Sequence, residues 1–151
     1  MSLMVNLACS TMSAQSIIHI MGFKLVIVDD AAFIREAVKS LLEDSEIQCV
    51  GEAADGEEAL RVIEQCQPDV VILDLILPKK NGIEVAAELM KKKSKAQVIA
   101  CSTEGQEGLM IQAIDAGCSN FLTKPFTAES LKKVLHAALA KPSKVRSADA
   151  S

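Results

Sequence analysis

Asp29 with Asp30, Asp74, Ser102 with Thr103, and Lys124 are the side chains of this sequence whose types could together do chemistry. Each follows directly on a short apolar run of the 151-residue chain. Singly, a polar residue in such a place caps a helix or forms a turn. Jointly they offer three carboxylates, hydroxyls and an ammonium. Clustered carboxylates stay ionised together when a cation joins them, and a hard divalent ion with oxygen ligands, most simply Mg2+, suits them. Lys124 adds a second, fixed positive charge, which favours an added anion; a phosphoryl group between Mg2+ and Lys124 satisfies both. Asp74 is then the nucleophile, forming an aspartyl phosphate. Other phosphoryl chemistries find no support: there is no GxxxxGK[ST] phosphate loop. The DxD pair of dehalogenase-type phosphatases fails at Ile76.

These residues need a scaffold that brings four separate loops to one edge. Leu25–Val28, Cys49–Ala53, Val70–Leu73, Val98–Cys101 and Phe121–Leu122 read as strands. Between and after them, Ala31–Glu43, Glu57–Cys66, Ile83–Lys93, Leu109–Ala116 and Ala128–Ala140 carry helical periodicity. The first helix turns Ile34, Val38, Leu41 and Leu42 inward and the second Leu60 and Ile63; Gly117 closes the fourth and Pro142 follows the last. Strands that are apolar on both faces belong in a parallel sheet covered on both sides by helices. The fold is therefore predicted as α/β, a (βα)5 doubly wound parallel five-stranded sheet, which collects ligands beyond the carboxyl ends of its strands.

Composition narrows the classes further. Half of the residues are hydrophobic and 24% are charged, as in a folded single domain, and a net charge of −4 argues against direct nucleic-acid binding. No Trp, no Tyr and four Phe leave no stacking platform for single strands. Cys9, Cys49, Cys66, Cys101 and Cys118 are odd in number and scattered, which reads as reduced thiols of a cytoplasmic protein. Two histidines, His19 and His136, cannot build a His-rich metal site, and no apolar run is long enough for a membrane span. Residues 1–22 carry no charge and read as an N-terminal extension, Met1-Ser2-Leu3 looking like an appended start. The sharper reading is an ordered arm packing Ile17, Ile18 and Ile20 on a partner or a neighbouring copy. Residues 142–151 read as a polar tail.

Val28-Asp29-Asp30, Asp74-Leu75-Ile76-Leu77-Pro78 with Asn81-Gly82, Cys101-Ser102-Thr103, and Phe121-Leu122-Thr123-Lys124-Pro125-Phe126 resemble the receiver domain of two-component response regulators. The spacings agree from Lys24 to Lys141, giving a receiver domain over residues 23–141, and Ala31-Ala32-Phe33, Gly51-Glu52-Ala53 and Gly105-Gln106 are most similar to the single-domain chemotaxis regulators. The resemblance implies a flavodoxin-like strand order 2-1-3-4-5 and a phosphorylation-dependent switch. Asp74 would accept a phosphoryl group from a histidine kinase, and Mg2+ would be held by Asp30, Asp74 and the backbone carbonyl of Ile76, with Asp29 acting through water. Lys124 and Ser102 would contact phosphoryl oxygens. Ser102 and Phe121 would switch together, altering a surface of the fourth helix, fifth strand and fifth helix that a downstream protein reads. Lys124-Pro125 resembles the family's cis peptide.

Departures from the family pattern lie around the site. Thr103 is bulkier than the usual Ala or Gly and hinders an attacking water. Ile76 and Glu104 stand at positions that tune dephosphorylation, and Ile76 offers no polar group to orient water, so slow hydrolysis is expected. Asn120 stands where an acid is frequent, and Phe121 lacks the hydroxyl of the common Tyr. Lys91, Lys92, Lys93 and Lys95 read as a solvated helix end. Met110 and Ile111 suit either a partner face or the core; Cys101 reads as core filler and His136 as merely exposed. A stand-alone chemotaxis-type receiver is the leading function. The alternative is the receiver fragment of a DNA-binding transcriptional regulator.

Overall fold

Alternation of side chains along each strand decides the layering. Leu25, Ile27, Val70, Ile72, Ile99, Cys101 and Leu122 point to one face of the sheet, and Val26, Val28, Val71, Leu73, Val98 and Ala100 to the other. Both sets are buried, so neither face can meet water and each requires helices over it. The structure, a computed structural model, describes residues 22–140. The proposed N-terminal arm with Cys9 and His19, and the tail beyond Ala140, lie outside the described residues.

Strands β1 (Phe23–Val28), β2 (Ile47–Ala53), β3 (Val70–Asp74), β4 (Gln97–Thr103) and β5 (Asn120–Lys124) alternate with helices α1 (Ala32–Leu41), α2 (Gly56–Cys66), α3 (Gly82–Lys91), α4 (Glu107–Asp115) and α5 (Ala128–Leu139). The strands pair in parallel in the order β2-β1-β3-β4-β5. Val38 of α1 and Leu42 just after it, with Leu131, Leu135 and Ala138 of α5, cover the first face. Ala59 and Ile63 of α2, Val85, Ala86 and Leu89 of α3, and Ala113 of α4 cover the second. The chain is thus the doubly wound sheet that the sequence predicts, with the predicted strand order.

Element ends shift for local reasons. Three strands run past their apolar cores, because the parallel ladder continues through Asp74 opposite Cys101, Ser102 opposite Thr123 and Thr103 opposite Lys124. Asp74, Ser102, Thr103 and Lys124 are therefore the last residues of strands, not the first of loops. Helix α1 stops at Leu41, two residues before the predicted Glu43, where the Leu42 N–H turns to the carbonyls of Lys39 and Ser40. Gly117, at φ 107°, ends the fourth helix as expected, and a Cβ there would lie 2.5 Å from Met90 Cε.

Asn81 fixes the start of α3 just beyond β3: its side chain accepts the Glu84 N–H, and Glu84 accepts the Asn81 N–H in return. Asn81→Ala is expected to destabilise the protein by about 1 kcal/mol, read as a lower urea midpoint at unchanged slope.

Candidate functional site

The carboxyl ends of β1, β3, β4 and β5 bring Asp29, Asp74, Ser102 and Lys124 to one edge of the sheet. Asp29 and Asp74 are 3% and 6% exposed, whereas Asp30, at the rim, is exposed. One carboxylate oxygen from each of the three lies within 4.8 Å of the others, so the cluster could hold a metal ion. Lys124, separated from Asp29 by 95 residues, donates to Asp29 Oδ2 at 2.6 Å and to Asp74 Oδ2 at 3.2 Å. The sequence suggests an ammonium kept for an incoming anion. In the structure it already joins two of the carboxylates, since two buried like charges need a counter-charge between them.

The remaining valences are set locally. Asp29 Oδ1 accepts the Ala31 N–H at 2.9 Å, and Asp74 Oδ1 accepts the Ile76 N–H at 3.1 Å. Burial nevertheless pushes the Asp74 carboxyl above its ordinary range, with the Asp29 charge adding to it; the Ile76 N–H and Lys124 only partly offset this. Burial disfavours the Lys124 charge, but the Asp29 hydrogen bond and the charges of Asp74 and Asp29 outweigh it and hold the ammonium above its usual value. Ser102, 2% exposed, has a hydroxyl with no hydrogen-bond partner. A buried orphan hydroxyl is costly and suits an acceptor that arrives later. Such a donor, the ammonium and the acidic cluster fit a cation with a bound oxyanion.

The other sequence candidates occupy the rim or the core. Ile76 is 54% exposed, and Thr103 and Glu104 are also exposed. Phe121 is half-buried against the α2/α3/α4 side of the sheet. Lys124-Pro125 is a cis peptide. Met110 is half-buried and Ile111 is 63% exposed. Cys101 is core filler whose thiol burial pushes up to about 12. His136 is exposed as expected but also meets Glu46 at 3.0 Å, a pairing across 90 residues. Lys91, Lys92, Lys93 and Lys95 are all exposed.

Two positioning features go beyond the roles read from the sequence, although Gly82 belongs to the Asn81-Gly82 motif. A Cβ on Gly82 would stand 2.3 Å from the Asp74 carbonyl oxygen, and one on Gly56 would stand 1.8 Å from that of Lys80. Only glycine lets α2 and α3 close on the loop that follows Asp74. Arg35 donates to the Asp29 carbonyl at 2.6 Å and pairs with Glu52 at 2.9 Å.

The family profile for the response regulator receiver domain matches residues 25–136. The chain belongs to this family. This receiver domain is 41% identical over 115 residues to the chemotaxis protein CheY of Listeria monocytogenes, covering 76% of this chain and 97% of that one. It is 40% identical over 118 residues to CheY of Thermotoga maritima, with 76% and 98% covered. Among solved structures it is similar to the receiver domain of NarL from Mycobacterium tuberculosis, with TM-score 0.74, 32% identity, and 80% and 98% covered. It also resembles the CheX-CheY-BeF3-Mg2+ complex from Borrelia burgdorferi, with TM-score 0.74, 28% identity, and 79% and 90% covered. Receiver membership with CheY relatives supports a phosphorylation-dependent signalling switch. Among the described residues no helix is long and apolar enough to cross a membrane.

Because burial raises the Asp74 pKa, its contribution to stability is fully present below the unfolded value and is lost as pH rises through the folded one. Asp74→Asn removes that loss. In chelator at neutral pH the variant is expected to melt higher, by about 2–8 °C for each kcal/mol gained, and the advantage should vanish in acid. A thermal melt series across pH checks it.

Proposed function

We propose that this receiver domain takes a phosphoryl group onto Asp74 from the phosphohistidine of a partner kinase and thereby changes what its surface binds. The observation that carries this reading is the buried Asp74 carboxylate 3.2 Å from the Lys124 ammonium at the end of the sheet. A carboxylate oxygen of Asp74 attacks phosphorus, the P–N bond to the donor imidazole breaks, and its electron pair leaves with the ring nitrogen. Lys124 turns toward one equatorial oxygen and the Ser102 hydroxyl donates to another, which satisfies that orphan. Asp30, Asp74 and the Ile76 carbonyl would hold Mg2+, with Asp29, whose oxygens are already taken by Ala31 and Lys124, acting through water. The ion supplies charge neutralisation at the developing phosphoryl oxygens.

Phosphorylation replaces the single charge of the Asp74 carboxylate with an acyl phosphate that carries about −1.5 to −2. Ser102 moving toward it vacates space for Phe121, which couples the site to α4, β5 and α5. Ile111 and Ile114, 63% and 54% exposed on α4, give the downstream protein an apolar contact there. A chemotaxis target suits the CheY relatives, and a kinase donor suits a cytoplasmic setting. The chain contacts nucleic acid in neither role.

Acetyl phosphate with Mg2+ is expected to add one phosphoryl mass to the wild type and none to Asp74→Asn, as read by intact mass spectrometry. No added mass on the wild type would overturn the mechanism. Ile76, two residues after Asp74, offers no polar group to orient water, and Thr103 next to Ser102 is bulky, so the phosphoprotein is expected to decay slowly. Ile76→Asn or Thr103→Ala should speed decay by about tenfold, equivalent to roughly 1.4 kcal/mol of barrier; unchanged decay in both would remove these residues from the account.

A further inference from the structure

Asp29 is held at its N–H, its carbonyl and both carboxylate oxygens, and the hold on its carbonyl comes from a helix side chain. Its N–H donates to the Ala53 carbonyl at 3.0 Å, its two carboxylate oxygens accept from Ala31 and Lys124, and its carbonyl accepts Arg35 Nη1 at 2.6 Å. The same guanidinium uses Nε to pair with Glu52 Oε1 at 2.9 Å. Arg35 projects from α1 and Glu52 from β2, so one planar fork ties the helix that follows the Asp29-Asp30 turn to the neighbouring edge strand.

We infer that Arg35 is a positioning residue: by fixing the Asp29 carbonyl it sets the backbone from which Asp30 reaches the metal site. Three features support a positional role. The Arg35 side chain is only 18% exposed, so its fork is held by its neighbours. Its charge is met by Glu52, whose carboxyl Lys39 and Arg35 together hold below the usual range against partial burial. The guanidinium therefore acts on the acidic cluster chiefly through geometry and little through net charge. Asp30, by contrast, is exposed, and its direction depends on the turn that Arg35 anchors. A lysine could reach one of the two acceptors but could not hold both at the fixed angle of a guanidinium.

Lys39 provides the internal comparison. One turn further along α1, it pairs with Glu52 at 2.7 Å and with Glu36 at 2.7 Å, thus also joining α1 to β2, but without touching Asp29. Loss of Lys39 and loss of Arg35 both loosen that joint; only loss of Arg35 frees the turn.

The test is Mg2+ affinity by titration calorimetry on the full chain, with melting in chelator as the measure of fold. Arg35→Met is expected to weaken Mg2+ binding by about 10–100-fold, the usual effect of removing a group that orients a metal ligand. Lys39→Met should leave it within about twofold of wild type even where both variants melt lower. Arg35→Lys should keep most of the defect. Acetyl phosphate labelling of Arg35→Met should need correspondingly more Mg2+ and then reach the wild-type extent. Should Arg35→Met fail to fold, Glu52→Gln, which removes the anion that orients the fork, is expected to weaken Mg2+ binding in the same direction. Equal Mg2+ affinity in wild type and Arg35→Met, or equal losses in Arg35→Met and Lys39→Met, would overturn the inference. This role rests on the phosphoryl reading only for its purpose. A wild type that binds Mg2+ yet takes no phosphoryl mass would sink that reading, while the affinities would still decide the role of Arg35.

Discussion

Burial of two carboxylates under one ammonium is the constraint on which the rest of this structure depends. Asp29 and Asp74 sit at the ends of adjacent strands, nearly without access to water, where the Asp29 charge disfavours that of Asp74. Lys124 reaches them from the far side of the sheet and lies within hydrogen-bond distance of both. Such an arrangement holds only if β1, β3 and β5 keep their relative depth, which the continuous parallel ladders enforce. Each strand end is therefore committed both to the sheet and to the charge balance.

That balance leaves the site poised. The ammonium is shared between two carboxylates, the Asp74 carboxyl is held above its ordinary range, and the Ser102 hydroxyl is buried without a partner. All three conditions favour the arrival of a cation beside the carboxylates and an oxyanion beside Lys124 and Ser102. A buried polar group left without a partner and a carboxyl shifted by burial are typical of functional sites, and the packed layers on either side of the sheet sustain them. Rigid supports surround it: two glycines allow α2 and α3 to close on the loop after Asp74, the Asn81 capping box fixes where α3 begins, and Arg35 ties the Asp29 turn to β2.

Fold class was legible because short continuous apolar runs and period-3.6 apolar patterns alternate from Leu25 to Leu139. Strands apolar on both faces leave a doubly wound sheet as the natural solution. Boundaries were less legible where hydrogen bonding outlasts hydrophobicity: Asp74, Ser102 and Lys124 look like loop residues by polarity but continue the ladders. Likewise, α4 puts Ile111 and Ile114 toward solvent, a choice its hydrophobic sequence cannot reveal.

The sequence by itself determined which groups meet, since strand ends in a parallel sheet converge on one edge, and the motif spacings around Asp29, Asp74, Ser102 and Lys124 single out a receiver. Only the tertiary structure decided how those groups are paired. Lys124 joins Asp29 to Asp74 across 95 and 50 residues, Ser102 is left without a partner, and Arg35 holds the Asp29 carbonyl while pairing with Glu52 of another element. These arrangements depend on strand register, burial and distances of a few ångströms, and no local pattern of residue types encodes those.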